Sequence, residues 1–267
     1  KAHYPSEFMS AVLSADMDNT DKVVILIEEC RAMEITVLPP DVNSSDYRFQ
    51  ASPNGEIIYG LGAIKGVGQA AIEGIIAERA NGEYKSLDDF CARIDLSKAN
   101  KKVMEALTYS GAFHCFSDNR AAVMAHLPYA LQAAEQQQKN ADAGIDDMFA
   151  DFAVEQTANT PIPDCEPWDE KTRLTHEKES LGLYLTGHPI DMYADELKQI
   201  VSRNLGQWHE KLDTGEHSGF RRKEEDAIVA GLVVGVRPRN GFNGREVFVT
   251  LDDRSGRIDV RVYPELL

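Results

Sequence analysis

The segment Leu61-Gly-Ala-Ile-Lys-Gly-Val-Gly-Gln-Ala70 constrains the fold more than any other stretch, because it sets two glycines close together directly ahead of the helical run Ala71 to Arg79. Gly66 and Gly68 let the backbone turn tightly. Their bare N–H groups, with the N-terminus of the helix that follows, can hold one phosphate. Such a contact is blind to sequence, and Lys65 adds charge beside it. Lys65, Gly66, Val67, Gly68 and Gln69 are therefore the candidate contact residues.

An apolar-x-Gly-x-Gly string before a helix is the pattern of a helix-hairpin-helix. Two other readings compete with it: an ordinary Gly-rich helix turn, and a nucleotide loop that includes Gly62. A dinucleotide loop follows a buried strand, keeps G-x-G-x-x-G spacing and leads to a second parallel strand. The sequence offers none of these. A second, degenerate copy is expected at Val103 to Phe113, leading to Ser117-Asp-Asn-Arg-Ala121, with Lys101, Lys102 and Arg120 as phosphate candidates. Equally, Gly111 reads as a helix C-cap and Ser117 or Asp118 as an N-cap.

A net charge of −16 argues against a phosphate partner only as a sum. Residues 131 to 170 hold ten acidic residues against the single Lys139, whereas 58 to 130 hold eight of each sign. Acidity is concentrated in a connector, and the hairpin segment is neutral with local basic points. No apolar run approaches the roughly 18 to 20 residues that span a bilayer, and no secretory n-region opens the chain. A cytoplasmic protein with no membrane partner is expected. Cys30, Cys91, Cys115 and Cys165 lie far apart, which suggests neither a zinc site nor a disulfide framework.

The length allows two or more cored units at roughly 150 residues each. Two helices are expected within residues 5 to 38, with Phe8, Met9, Val12 and Leu13 at helical spacing. Extended chain follows from Ile35. Tyr47 to Ala51 and Glu56 to Tyr59 then flank the turn Ser52-Pro-Asn-Gly55, whose Asn-Gly suits a tight hairpin. Short helices with Gly turns fill residues 60 to 127, and from Leu131 a helix fades into an acidic linker. In that linker the island Ile145-Asp-Asp-Met-Phe149 resembles a short peptide that docks into a partner's pocket, though Met148 and Phe149 can also pack on their own helix. A helix is expected from Thr172, ending near Gly187. From Asp226 the period switches to two: three β runs open an OB barrel that lacks its last strands. Arg237, Arg239, Phe242 and Arg245 crowd the first barrel turn, where basic and aromatic residues track single-stranded nucleic acid; a solvated charged turn competes. Asp16-Met-Asp18 reads as a helix end and cap ahead of a metal pair, and His188 as a structural histidine. Lys1 in first place and the strand-like end at Leu267 suggest that both ends are cut.

Lys1-Ala-His-Tyr-Pro-Ser, Ala15-Asp-Met-Asp-Asn-Thr, Leu38-Pro-Pro-Asp-Val-Asn-Ser, Gly60-Leu-Gly-Ala-Ile-Lys-Gly-Val-Gly, Leu181-Gly-Leu-Tyr-Leu-Thr-Gly-His-Pro and Leu251-Asp-Asp-Arg-Ser-Gly occur in this order. On these strings the chain strongly resembles the alpha subunits of bacterial DNA polymerase III, the C-family replicative DNA polymerases. The resemblance implies a multidomain, mainly α chain. Its parts are the helical end of a fingers domain (1–57), a tandem helix-hairpin-helix domain (58–130) and an acidic linker with a clamp-binding peptide (131–163). A connector (164–225) and the start of an OB-fold (226–267) follow. It implies duplex primer-template DNA, the sliding clamp (beta subunit), single-stranded template and other replicase subunits as partners. The clamp peptide is Ile145, Asp146, Asp147, Met148 and Phe149, with Ile145 where the family commonly has Gln. The family's catalytic aspartates lie upstream, so no catalytic residue, metal ligand or cofactor is expected here; the parent enzyme transfers nucleotides with Mg²⁺. A helix-hairpin-helix and OB scaffold of a repair or recombination protein is the alternative.

Overall fold

A computed structural model describes residues 1–142, 162–208, 226–241 and 244–263. The chain divides into two compact units, Lys1–Thr186 and Gly187–Leu267. Among the described residues the structure is mostly helical, with two small three-stranded sheets. No helix there is long and apolar enough to cross a membrane.

In the first unit, α1 (Pro5–Ala15) and α2 (Thr20–Ala32) form where the apolar spacing places them. Pro5 suits the first helical position because the N–H it lacks would have no partner there. Asn19 caps α2 by accepting the Lys22 N–H. Asp16 ends α1 and takes the Lys22 ammonium at 2.6 Å, so its carboxylate is committed to a cation of the chain itself. Met9 and Leu13 are buried, while Phe8, expected on the same stripe, is exposed.

Three two-residue strands follow: β1 (Val37–Leu38), β2 (Gln50–Ala51) and β3 (Ile57–Ile58). β3 lies in the middle, antiparallel to β2 across the Ser52–Gly55 turn and parallel to β1. The extended chain after Ile35 thus pairs as well. Pro39 and Pro40 stop it, since proline cannot donate to a ladder.

The helices α3 (Gln69–Arg79), α4 (Leu87–Arg93), α5 (Lys101–Ser110), α6 (Arg120–Asp142) and α7 (Glu170–Leu181) complete the unit. One core runs through it from Met9 to Leu183, so residues 1–57, 58–130 and the stretch to Thr186 share buried contacts. Phe90 stands at its centre, edge-on to Tyr84 at 4.6 Å and to Phe113 at 5.0 Å. α6 continues past residue 130, where the sequence reading begins the linker. Pro128 removes one backbone bond, but Leu127, Ala130 and Ala134 bury a single helical face and carry the helix on.

Cys30 and Cys91 are free and buried in this core. Burial first and Glu29 second push the Cys30 thiol up to about 11, and burial with Asp88 pushes Cys91 up to about 12. Only the thiolate is reactive. Both residues should therefore resist iodoacetamide at pH 8 in the folded chain and label fully after denaturation, as read by peptide mass.

In the second unit a 3₁₀ turn (Pro189–Tyr193) leads into α8 (Ala194–Ile200). His188 caps the turn, with its ring accepting the Ile190 N–H and the Asp191 carboxylate accepting the His188 N–H. The antiparallel meander β4 (Leu232–Gly241), β5 (Gly244–Asp252) and β6 (Arg257–Val262) follows. Asp253 builds the turn between β5 and β6 by accepting the N–H groups of Ser255 and Gly256, and it also accepts that of Leu205. That accounts for the Asp-Asp-Arg-Ser-Gly string.

Candidate nucleic-acid interface

The stretch ahead of α3 begins with a 3₁₀ turn, Leu61–Ala63, and Ile64 and Val67 are buried beneath it. Gly66 has φ +82°, a conformation that side chains disfavour, so the turn itself requires glycine there. Gly68 is different. It caps α3 with ordinary extended backbone (φ −76°, ψ 151°), and a Cβ built on it would meet no protein atom within 4 Å. The fold alone gives no reason for a bare backbone at this position.

Among the described residues no acceptor is found for the N–H groups of Gly66, Gly68, Gln69 or Ala70. Gly68 supplies no side chain to cap the helix, and Gln69 turns its amide to Glu73 at 2.7 Å. Orphan N–H groups thus gather at the positive end of an 11-residue helix, the arrangement that binds an anionic oxygen. α3 leads on to α4 with no parallel strand between them, so the dinucleotide reading lacks its second strand.

Lys65 is exposed and anchored. Its N–H donates to the Ser180 carbonyl at 2.8 Å, and its ammonium lies 3.0 Å from the point that a Cβ on Gly182 would occupy. The charge therefore sits between the hairpin and the C-terminal end of α7.

Where a second copy is expected, Gly111 has φ +84° and is the C-cap of α5, the competing reading of the sequence. The N-cap of α6 is Asn119, not Ser117 or Asp118: its side chain accepts from both Ala121 and Ala122, while Ser117 supports it by accepting the Asn119 N–H. Lys101 and Lys102 are exposed at the start of α5, Lys101 lying 3.8 Å from Glu105. Arg120 corrects the sequence reading. Its side chain is 12% exposed and its guanidinium is held by Glu177 at 3.1 Å and the Tyr109 carbonyl at 2.9 Å, so it is not free to meet a phosphate.

In the second unit Arg237 and Arg239 are exposed, but they stand within β4 opposite Phe248 and Glu246, not in the turn. The backbone of Arg245 pairs with Asn240 in the ladder, and Phe242 lies outside the described residues. Ile145 to Phe149 also lie outside them. Among the described residues no group of three His, Cys, Asp or Glu side chains is placed to hold a metal ion, and the Asp16–Lys22 pair does not fit a Mg²⁺ site.

Fold and turn together define a class, and a family model described as Helix-hairpin-helix motif matches residues 34–123. The relationship then extends far beyond that module. The whole chain is 47% identical to a stretch of the DNA polymerase III subunit alpha of Vibrio cholerae and 45% identical to that of Escherichia coli K12. With the subunit of Pseudomonas aeruginosa it shares 42% identity over 99% of its length. The chain is thus related to DNA polymerase III alpha subunits from end to end, and it spans about a fifth of their length, 22% in the first two.

Proposed function

We propose that this chain is a duplex-DNA-gripping part of the catalytic subunit of a bacterial replicative DNA polymerase, with Lys65 to Gln69 as the grip. The observation that carries this is Gly68, whose missing side chain the fold does not explain and the close approach of a phosphate does. Orphan N–H groups at the α3 N-terminus hold one backbone oxygen, Lys65, Lys101 and Lys102 add charge, and no base is read. The end-to-end relationship to polymerase subunits favours this over a repair or recombination scaffold.

On the same relationship, the parent protein performs template-directed nucleotidyl transfer in the cytoplasm, with Mg²⁺ held by residues outside this chain. Ile145 to Phe149 dock on the sliding clamp, more weakly than a peptide that begins with Gln. The β4 to β6 meander opens an OB-fold whose Arg237, Arg239, Phe242 and Arg245 follow single-stranded template, and other replicase subunits join the parent.

Duplex binding by fluorescence anisotropy is the test. Affinity should be equal for unrelated sequences and fall linearly in log–log form with salt, by roughly 0.9 log units per phosphate neutralised for each tenfold rise. Strong preference for one sequence, or affinity indifferent to salt, would remove the backbone grip.

A further inference from the structure

The stretch from Glu177 to Thr186 lies well outside the matched helix-hairpin-helix module, which ends at residue 123, yet it touches the turns of both copies. At the first, the Ser180 carbonyl accepts the Lys65 N–H, one residue before Gly66. Gly182, with φ +83°, ends α7 in a space that leaves no room for a side chain. A Cβ there would come within 2.1 Å of the Thr20 methyl carbon and 3.0 Å of the Lys65 ammonium.

At the second copy, the fully buried Glu177 holds Arg120 at 3.1 Å. That guanidinium lies against Gly111, where a Cβ would meet Nη2 at 2.5 Å. The Glu177 carboxylate also accepts the N–H groups of Leu185 and Thr186, at 2.7 and 2.8 Å, and the Thr186 hydroxyl at 2.6 Å. One short segment is therefore bonded to the residue that precedes one hairpin and to the residue that starts the helix after the other.

We propose that Glu177 and Gly182 are positioning residues, and that residues 177–186 form a clasp fixing the first hairpin relative to α5 and α6, so that Lys65 to Gln69 and the exposed Lys101 and Lys102 meet one duplex backbone. The proposal rests on the hairpin grip described above. Neither residue touches DNA; each acts through Lys65 or Arg120. A rigid pair of phosphate contacts binds better than two independently placed ones because ordering is not repeated at binding.

The test compares duplex affinity and salt slope for the full chain, Gly182→Ala, and Gly182→Ala combined with Thr20→Ser, which removes the methyl that the new Cβ meets. Circular dichroism and a cooperative melt above the assay temperature establish that each is folded. Expected for Gly182→Ala is a roughly tenfold loss of affinity with a salt slope shallower by about one, and partial recovery of both in the double variant. A folded Gly182→Ala chain with the parent affinity and slope overturns the clasp. Should Gly182→Ala not fold, Thr186→Val removes the hydroxyl that donates to Glu177 and accepts from Arg173 and is held to the same two readouts. Gly68→Val run alongside separates the failures: if it binds as the parent does, the hairpin grip falls and the clasp with it, whereas if it alone loses binding, only the clasp falls.

Discussion

Glu177→Gln should lower the stability of the first unit by about 3–4 kcal/mol, the cost of removing one partner from a buried ion pair. In the native chain the carboxylate accepts from two backbone N–H groups, the Thr186 hydroxyl and Arg120, and no part of its side chain is exposed. A glutamine carbonyl can keep the Leu185 and Thr186 amides, and the threonine hydroxyl can reverse its role. Arg120 cannot. Its guanidinium has only donors, and it would face an amide N–H₂ in a site where burial already lowers its pKa against the opposing pull of Glu177. Thermal unfolding should move down by about 10 °C for a unit of this size. Glu179→Gln, two residues away with a side chain 64% exposed, is the control and should change stability by no more than about 0.5 kcal/mol. A loss below about 1 kcal/mol for Glu177→Gln would show that the network contributes little beyond ordinary hydrogen bonds.

The second unit carries its own buried carboxylate. Burial by itself would raise the Asp252 pKa, but hydrogen bonds from His188, the Arg254 N–H and Arg257 outweigh it and hold the carboxyl well below the usual range. The Arg257 Nε lies at 2.8 Å and the His188 Nε2 at 3.4 Å. Because the folded pKa is depressed, the stabilisation is full above the unfolded value of roughly 4 and is lost as pH falls below it, where the unfolded chain takes up a proton that the folded one does not. Urea unfolding of the second unit should therefore weaken on acidification below about pH 4. Asp252→Asn should cost about 2–3 kcal/mol at pH 7 and flatten that acid limb. An unchanged limb in the variant would assign the acid sensitivity to other groups.

What could be read from the sequence was set by local chemistry. Asn54-Gly55 supplies a turn whatever surrounds it, Gly66 before a helical run requires a positive φ, and the alternation after Ala227 yields strands because each residue there has only two faces to choose between. The misreadings involve contacts that sequence separation hides. Arg120 looked like a phosphate ligand because a basic residue at a helix start is usually free; its acid lies 57 residues away. Glu177 stands in a Glu-Lys-Glu run and carries no local mark distinguishing it from Glu179, although one is fully buried and the other mostly exposed. Asn119 became the cap in place of its neighbours because only its side chain reaches two N–H groups. Arg237 and Arg239 fell inside β4 because the ladder extends to Gly241, further than the turn residues Asn240 and Gly241 suggest. The helix expected to run on to Gly187 ends at Leu181, where Gly182 takes a positive φ as its C-cap; that early end was not legible, since the contacts of Ser180 and Gly182 with Lys65 and Thr20 depend on how α7 packs.

The most direct measurement of the central claim is duplex affinity across a salt series for Gly68→Val beside the parent chain. Open space around Gly68 means that an added Cβ meets nothing within 4 Å beyond its chain neighbours, and as the loss of a glycine cap the substitution costs at most about 1 kcal/mol of stability, so the variant should remain folded. The expected result is a folded protein with at least about a tenfold loss of duplex affinity and a salt slope shallower by about one phosphate contact. A folded Gly68→Val chain that binds duplex with the parent affinity and slope would contradict the claim that this hairpin is the DNA grip.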